Sequence, residues 1–328
     1  MATSTLSVQA KNFGKWLVKP FLSEQSGSTT AGNLIPRKVV FDWQQTKLEW
    51  VPDEPYVSHF VNEINLLLPA GEFWFCRTFN KALPYVTDEK LRQDVKDFVR
   101  QEAMHAQAHG GAVKQYLNAH GMETYSATYK VDWLFRVVGA DRPFGKKLPK
   151  ALEKDWLVFR LGIIAAVEHL TCVLGNYILD NEVWEQKQAD AELLDLLKWH
   201  GAEEVEHRSV AFDLYRHLGG TYISRYYLSL LVFPIIIGLW VDGASHLMKQ
   251  DPKLAPNKPS ITRPWVWLQW HKAAKRGMLP SLGWMMKEEL RFFNPWYNPV
   301  NEGDTERALN YLNQSAAYKR AQALQQAA

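Results

Sequence analysis

The feature that most constrains the fold is a set of ionisable residues in the middle of apolar helical stripes. Steps of three and four residues from Leu193 to Leu218 trace one face of a predicted helix, and the same steps from Leu91 to Tyr116 trace another. Both faces are apolar at their ends. Their central residues are Glu102, His105 and His109 on the earlier stripe, and His200, Glu204 and His207 on the later one. An apolar face belongs in a protein core, so these polar centres need partners there.

Two further stripes carry a single glutamate each. Glu72 lies in the middle of the stripe over residues 61–79, and Glu168 lies in the middle of the stripe over residues 157–179. An ionised carboxylate in an apolar core is costly unless it is paired or bound to metal. Four carboxylates at one level would also repel each other, and cations between them would remove the repulsion. We therefore predict a metal site; solvated helix faces and a metal-free Glu–His network are the alternatives.

The order and length of the helical segments predict the architecture. The segments run from after Pro55 to before Pro84, from Thr87 to about His120, from about Lys150 to Asn181, and from about Asp190 to His217. Almost no segment alternates with a period of two, so the fold class is all-α. Two helix hairpins separated by the long connection 121–149 have the connectivity of a ferritin-like four-helix bundle. The predicted organisation is an irregular N-terminal segment (1–55), the bundle (56–219) and a helical C-terminal extension packing on it (220–328).

Composition excludes several classes of protein. A net charge of +3 is too small to indicate nucleic-acid binding, and two cysteines provide no disulfide framework, which favours a cytoplasmic location. The longest apolar stretch, Tyr226–Trp240, contains Pro234 and is shorter than the ~20 residues of a membrane-spanning helix. We expect it to pack as a buried helix across the bundle. The alternative is a lipophilic or membrane-surface element, which would give the protein peripheral membrane contact.

The spacing of the polar residues matches a known ligand inventory. Glu102-x-x-His105 and Glu204-x-x-His207, with Glu72 and Glu168 from the other two helices, form the set found in di-iron and di-manganese carboxylate bundles. Outside this set, three residues are candidate supports for the ligands. Gln101 and Glu203 could each hold the free ring nitrogen of a histidine on the partner helix, and His109 could serve as a hydrogen-bonded core histidine or a further ligand.

With His200 added, the set resembles the di-iron centre of the p-aminobenzoate N-oxygenase type. That type carries a third histidine one turn before its last Glu-x-x-His motif, which implies that His200 is a metal ligand here. More broadly, the passages "RQEAMHAQAH" and "WHGAEEVEHRSVAFD" resemble a bacterial family labelled "predicted metal-dependent hydrolase". The resemblance implies two iron ions, with manganese or zinc as alternatives.

These patterns lead to three hypotheses about function. The first is a non-haem di-iron oxygenase or oxidase that uses O₂ as co-substrate, takes electrons from a donor and oxidises a small, lipid-like organic substrate. The second is a hydrolase in which the same two metals activate water. The third is a non-catalytic metal-binding bundle. No catalytic side chain beyond the metal ligands and no organic cofactor site is predicted, and a homodimer is left open.

Overall fold

The computed structural model describes residues 27–30 and 32–327, and within them the chain is helical and forms no strand. The all-α prediction is therefore confirmed. Residues 1–26, about half of the predicted irregular N-terminal segment, lie outside the described residues. The described remainder, up to residue 54, contains no helix and buries Trp43 and Trp50 in the core. Its backbone also reaches the second hairpin, since the amide of Asp190 donates to the carbonyl of Trp50 at 2.8 Å.

The first hairpin is interrupted where the sequence predicted one continuous helix. Its helices are α1 (Pro55–Asn62), α2 (Ile64–Ala82) and α3 (Glu89–Ala112). The break between α1 and α2 falls at Glu63, and the cap of α3 is Asp88 rather than the predicted Thr87, because the Asp88 carboxylate accepts from the Leu91 amide at 2.7 Å. A π-turn and a 3₁₀-turn extend α3 to Gly121, whose φ of 76° ends the helix as predicted.

The second hairpin follows a crossover that is more ordered than the long connection predicted for residues 121–149. The crossover contains α4 (Tyr125–Trp133) and a π-turn (Leu134–Val138). The hairpin helices are α5 (Lys150–Asp180), α6 (Val183–Gln186), α7 (Ala191–His207) and α8 (Val210–His217). The predicted fourth helix is therefore two helices, with a break at Arg208 and Ser209 directly after the last proposed ligand. The carboxylate of Asp190 caps α7 by accepting from the amides of Glu192 and Leu193.

Two glycines bring α5 and α7 into close contact. A Cβ atom at Gly175 would lie 2.4 Å from the carbonyl oxygen of Gly201, and one at Gly201 would lie 2.7 Å from the Cα of Gly175. Only glycine fits on both sides of such a contact. Because Glu168 and Glu204 lie within two turns of it, this contact helps to set the distance between their side chains.

The C-terminal part consists of further helices packed on the hairpins. They are α9 (Tyr222–Met248), α10 (Pro264–Lys275), α11 (Leu282–Phe292), α12 (Thr305–Gln314) and α13 (Ala316–Gln326). Helix α9 contacts α5, α1 and α4, while α12 and α13 contact α7. Helix α9 contains the apolar stretch Tyr226–Trp240, and only one of its faces is buried. Its outer face exposes Tyr227, Leu230 and Leu231, so the expectation of a buried helix holds for the inner face alone.

Two helices are long and apolar enough to cross a membrane by length and composition alone. They are α5 and α9, with 72% and 56% of their most apolar stretch buried within the protein. The expectation that no segment reaches this length is therefore wrong. Core helices of soluble proteins meet the same criterion of length and hydropathy. Helix α5 carries the apolar stripe around Glu168, so packing inside the bundle accounts for its apolar character.

Candidate metal centre

The four helical stripes meet inside the bundle with their ionisable centres at one level. All seven proposed ligands are buried: Glu72, Glu102, His105, Glu168, His200, Glu204 and His207. Each lies on the core face that the helical period predicts, flanked by buried apolar residues of the same stripe such as Phe98 and Leu197. The structure thus brings together residues that are up to 135 positions apart, counted from Glu72 to His207.

Short distances link the members of this cluster. The Nδ1 atoms of His105 and His207 each lie 3.5 Å from Glu102 Oε1, and His207 Nε2 lies 3.3 Å from Glu204 Oε2. The Nε2 atom of His207 also lies 3.7 Å from Glu168 Oε2. Glu102 and His207, from different hairpins, therefore share one region of space.

A second set of contacts surrounds His200. Its Nε2 atom lies 2.6 Å from Glu204 Oε1 and 3.7 Å from Glu72 Oε1. Four overlapping groups in the cluster have ligand atoms within 4.8 Å of one another: Glu72–His109–His200, His105–His200–Glu204, Glu72–Glu102–His105 and Glu102–Glu204–His207. Glu72, Glu102, His105, His200 and Glu204 each belong to two of these groups, so the groups form one continuous cluster of candidate ligands. Glu168 contributes to none of these groups among the described residues.

Many polar atoms of the cluster have no hydrogen-bond partner among the described residues. They include both carboxylate oxygens of Glu72, Glu102 and Glu168, both ring nitrogens of His207, and Nδ1 of His105. Leaving one such buried group unpaired costs about 1–3 kcal/mol, and more when it is charged. The unpaired atoms are lone-pair donors that face one another, and bound cations would satisfy them. The donor set of oxygens and imidazole nitrogens fits iron, manganese or zinc.

The electrostatics of the protein alone also indicate a site completed by cations. Burial raises the pKa of Glu72 and Glu168 well above the usual range, and repulsion from neighbouring glutamates adds to the effect. Burial also acts to raise the pKa of Glu204, but His207 and His200 outweigh it and lower that pKa well below its usual value. Carboxyl groups that hold protons in this way must release them to bind a metal, so metal affinity should rise with pH.

The orientation of His105 is fixed by a residue that the sequence proposed as a support. Its Nε2 atom lies 2.9 Å from Glu203 Oε2, and both side chains are fully buried. A carboxylate can only accept this hydrogen bond, so Nε2 carries a proton, and the lone pair that a metal would bind becomes available on Nδ1 once that atom is deprotonated. That Nδ1 atom is the one facing Glu102 and Glu204. Glu203 therefore selects the tautomer of His105 that can bind a metal through Nδ1.

Glu203 is in turn held by a residue that the sequence gave no reason to select. Arg37 comes from the irregular N-terminal segment, and its guanidinium lies 3.2 Å from Glu203 and 2.7 Å from Glu206. The sequence suggested that Gln101 holds a histidine of the partner helix, but in the structure its amide has other partners. Its amide donates to Glu206 Oε2 at 2.8 Å and to the carbonyl of Ile35. The segment around Arg37 has no periodicity, so no sequence pattern places it against α7.

His109 lies between His200 and the side-chain amide of Asn65. Its Nδ1 atom is 2.9 Å from Asn65 Oδ1, and its Nε2 atom is 2.6 Å from Nδ1 of His200. These contacts fit a hydrogen-bonded core histidine. Because His109 also belongs to one group of candidate ligand atoms, a role as a further ligand stays a prediction. The sequence also missed two supporting residues: Asn65, which contacts His109, and Thr171, whose hydroxyl donates to Glu204 Oε2 at 2.5 Å.

A cavity of about 120 Å³ lies beside the carboxylates. Glu72, Glu102, Glu168, His200 and Glu204 line one part of it, and mostly apolar side chains of α2, α4, α5, α7 and α9 line the remainder. A site of this kind can hold cations at one end and an apolar molecule next to them.

Comparison with known proteins gives one match. A family model described as "Predicted metal-dependent hydrolase" matches residues 35–303. The matched range includes Arg37, all the proposed ligands and most of the C-terminal helices. No curated protein and no solved structure matches the chain significantly.

Proposed function

Because the chain belongs to the predicted metal-dependent hydrolase family, we propose that it is a metal-dependent enzyme whose active site is the Glu–His cluster of the bundle. The single observation that carries this proposal is the set of buried, unpaired carboxylate oxygens and ring nitrogens that face one another. We infer further that the bundle is ferritin-like and holds two cations. Their ligands would be Glu72, Glu102, His105, Glu168, His200, Glu204 and His207.

We propose oxidation of an organic substrate with O₂ as the reaction. Two iron ions at these ligands would supply the electrons that reduce O₂, and an external donor would replenish them. The chain's own residues hold the site together and keep it dry. Glu203 orients His105, Arg37 neutralises Glu203, and the apolar walls of the cavity exclude water from the carboxylates. O₂ is itself apolar, so such a cavity admits it.

Hydrolysis is the second candidate, and the description of the family favours it. Two cations can activate water and stabilise an oxyanion without further residues. The cavity walls, however, offer little to a hydrolytic transition state. Thr171 is the only residue with a hydroxyl among those that line the cavity, and it already donates to Glu204. The third hypothesis, non-catalytic metal binding, leaves unexplained why an apolar cavity reaches the ligands.

Metal analysis with a reactivity assay tests the proposal. The protein is purified, its metals are measured, and the anaerobically reduced protein is mixed with O₂ while its absorption spectrum is followed. Oxidation predicts bound iron and a spectral change that requires O₂. Hydrolysis predicts a different result: bound zinc, no response to O₂, and turnover of ester or amide substrates under anaerobic conditions. That result would contradict the proposal of oxidation. A protein that binds no transition metal would contradict both.

A further inference from the structure

The cavity beside the metal ligands offers a substrate almost no polar partner. Its walls beyond the ligands carry side chains such as Leu67, Phe75, Phe135, Ile236 and Leu239. Two lining side chains outside the metal set contain a hydrogen-bond donor, and both are engaged. Thr171 donates to Glu204, and the indole N–H of Trp240 donates to the carbonyl of Phe60 at 2.7 Å.

We infer that the substrate places an uncharged hydrocarbon portion in this cavity, with the reacting carbon next to Glu72, Glu168 and Glu204. This inference rests on the proposed function and adds to it the chemical class of the substrate. A polar or charged portion that lies against these apolar walls would lose its hydrogen bonds to water and find none in return, which is unfavourable. Sugars and nucleotides, which are polar along their whole length, are therefore excluded as the part that enters the cavity.

The size of the cavity limits the buried portion. An apolar cavity of roughly 150 Å³ in a protein core takes up benzene. The cavity here, at about 120 Å³, is slightly smaller. The buried portion is thus about the size of one aromatic ring or of a chain of roughly four to six carbon atoms. Any polar group of the substrate lies beyond that length, outside the cavity.

Helix α9 contributes to the cavity without carrying a metal ligand, which allows the cavity to be altered separately. Ile236, Leu239 and Trp240 face the cavity, while Leu230 is half exposed on the outer face of the same helix. Substitution of Leu239 by a larger residue fills the cavity. The same substitution at Leu230 adds the same side chain to the same helix outside the cavity.

A binding series on the metal-loaded full chain tests the inference. The probes are the straight-chain 1-alkanols from propanol to decanol, and calorimetry measures their dissociation constants. The affinity should rise about fourfold with each methylene and level off once the cavity is full. 2-Propoxyethanol is the matched control for 1-hexanol: it has the same number of non-hydrogen atoms, but its ether oxygen would lie against the apolar walls without a donor, and it should bind at least tenfold more weakly. Equal binding of the ether and the alcohol, or no dependence on chain length, would overturn the inference.

Variants locate the binding in the cavity. Leu239→Trp should weaken 1-hexanol binding at least tenfold, and Leu230→Trp should leave it unchanged. Leu67→Phe, on α2, gives a second filling variant if Leu239→Trp does not fold. Wild-type affinity in a folded filling variant would contradict the inference.

Metal content, measured on the same samples, separates the two proposals. If the protein binds metal but no alkanol, the inferred substrate class is contradicted and the proposed function is not. Protein that binds the alkanol series but no metal contradicts the proposed function alone.

Discussion

Glu203 on α7 and His105 on α3 form a buried pair, with Oε2 of the carboxylate 2.9 Å from Nε2 of the ring. The two residues belong to different hairpins, so this contact also joins the two halves of the bundle. Because Arg37 lies on the far side of Glu203, a chain of contacts runs from the N-terminal segment to a proposed metal ligand. The site thus depends on residues well outside the four ligand-bearing stripes.

Loss of the Glu203 carboxylate should weaken metal binding. In Glu203→Ala the ring of His105 loses the acceptor that fixes its tautomer, and such changes lower metal affinity about 10–100-fold. Glu203→Gln, which keeps an acceptor oxygen, should retain more of the affinity. Glu206→Ala is the matched control, since Glu206 also contacts Arg37 but its other partner is Gln101. Competition with a chelator measures the affinities, and equal affinity of Glu203→Ala and wild type would contradict the role given to this pair.

Removal of the Arg37 charge should destabilise the fold. Arg37→Met leaves the buried carboxylate of Glu203 and the partly buried carboxylate of Glu206 without their cation, and breaking a buried pair in this way costs about 3–5 kcal/mol. Arg320→Met removes an arginine from a more exposed pair with Glu192 and should change the free energy of unfolding by at most about 1 kcal/mol. Urea denaturation of the two variants compares them. Similar effects would mean that the buried pair is not important for stability.

The close contact of α5 and α7 should tolerate no side chain at its centre. Gly175→Ala places a Cβ 2.4 Å from the carbonyl oxygen of Gly201, so the helices must separate, at a cost of about 1–3 kcal/mol. Gly110→Ala, in the last turn of α3 where no atom lies within 4 Å of the added Cβ, should be neutral or stabilise by up to about 1 kcal/mol. Because the separation moves Glu168 away from Glu204, Gly175→Ala should also lower the metal content. Unchanged stability and metal content would contradict the packing described.

Stability should fall between about pH 5 and pH 8 in part because of Glu289. Burial raises the pKa of this carboxyl to about 8. The folded chain therefore keeps a proton that the unfolded chain loses above about pH 4.3, and the free energy of unfolding decreases as the pH rises through that window. The decrease from one such group approaches about 1.4 kcal/mol for each pH unit. It should end above pH 8.

The Glu289→Gln variant isolates this contribution. Glutamine carries no titrating proton, so the difference in unfolding free energy between variant and wild type should grow in favour of the variant from pH 5 to pH 8. Urea denaturation at several pH values gives this difference, in which the contributions of all other groups cancel. A difference that stays constant with pH would show that Glu289 titrates normally.

The parts of the site that the sequence predicted are those set by helical period. The step from Glu102 to His105, or from His200 to Glu204, determines which face a side chain occupies, and an apolar stripe determines that this face is buried. Both properties are local. The hairpin connectivity followed in the same way from loop lengths, and the two hairpins did place Glu72 and Glu168 beside the Glu-x-x-His pairs.

The parts that the sequence could not predict depend on tertiary contacts. Arg37 lies in a segment without periodicity, and only its packing against α7 brings it to Glu203. The expected partner of Gln101 was wrong for the same reason, because only tertiary packing brings Glu206 beside Gln101 and Arg37. The helix breaks at Glu63 and at Arg208–Ser209 have no Gly or Pro to signal them.

Metal content per chain tests the central claim most directly. Glu204 contacts both His200 and His207, so it belongs to two of the groups of candidate ligands. Wild-type protein is compared with Glu204→Ala and with Glu206→Ala by elemental mass spectrometry. We predict about two transition-metal ions per chain in the wild type and in Glu206→Ala. Glu204→Ala should be folded and should have lost at least one of the two. Wild-type protein without a bound transition metal, or a Glu204→Ala variant with the full complement, would contradict the assignment of this cluster as a metal centre.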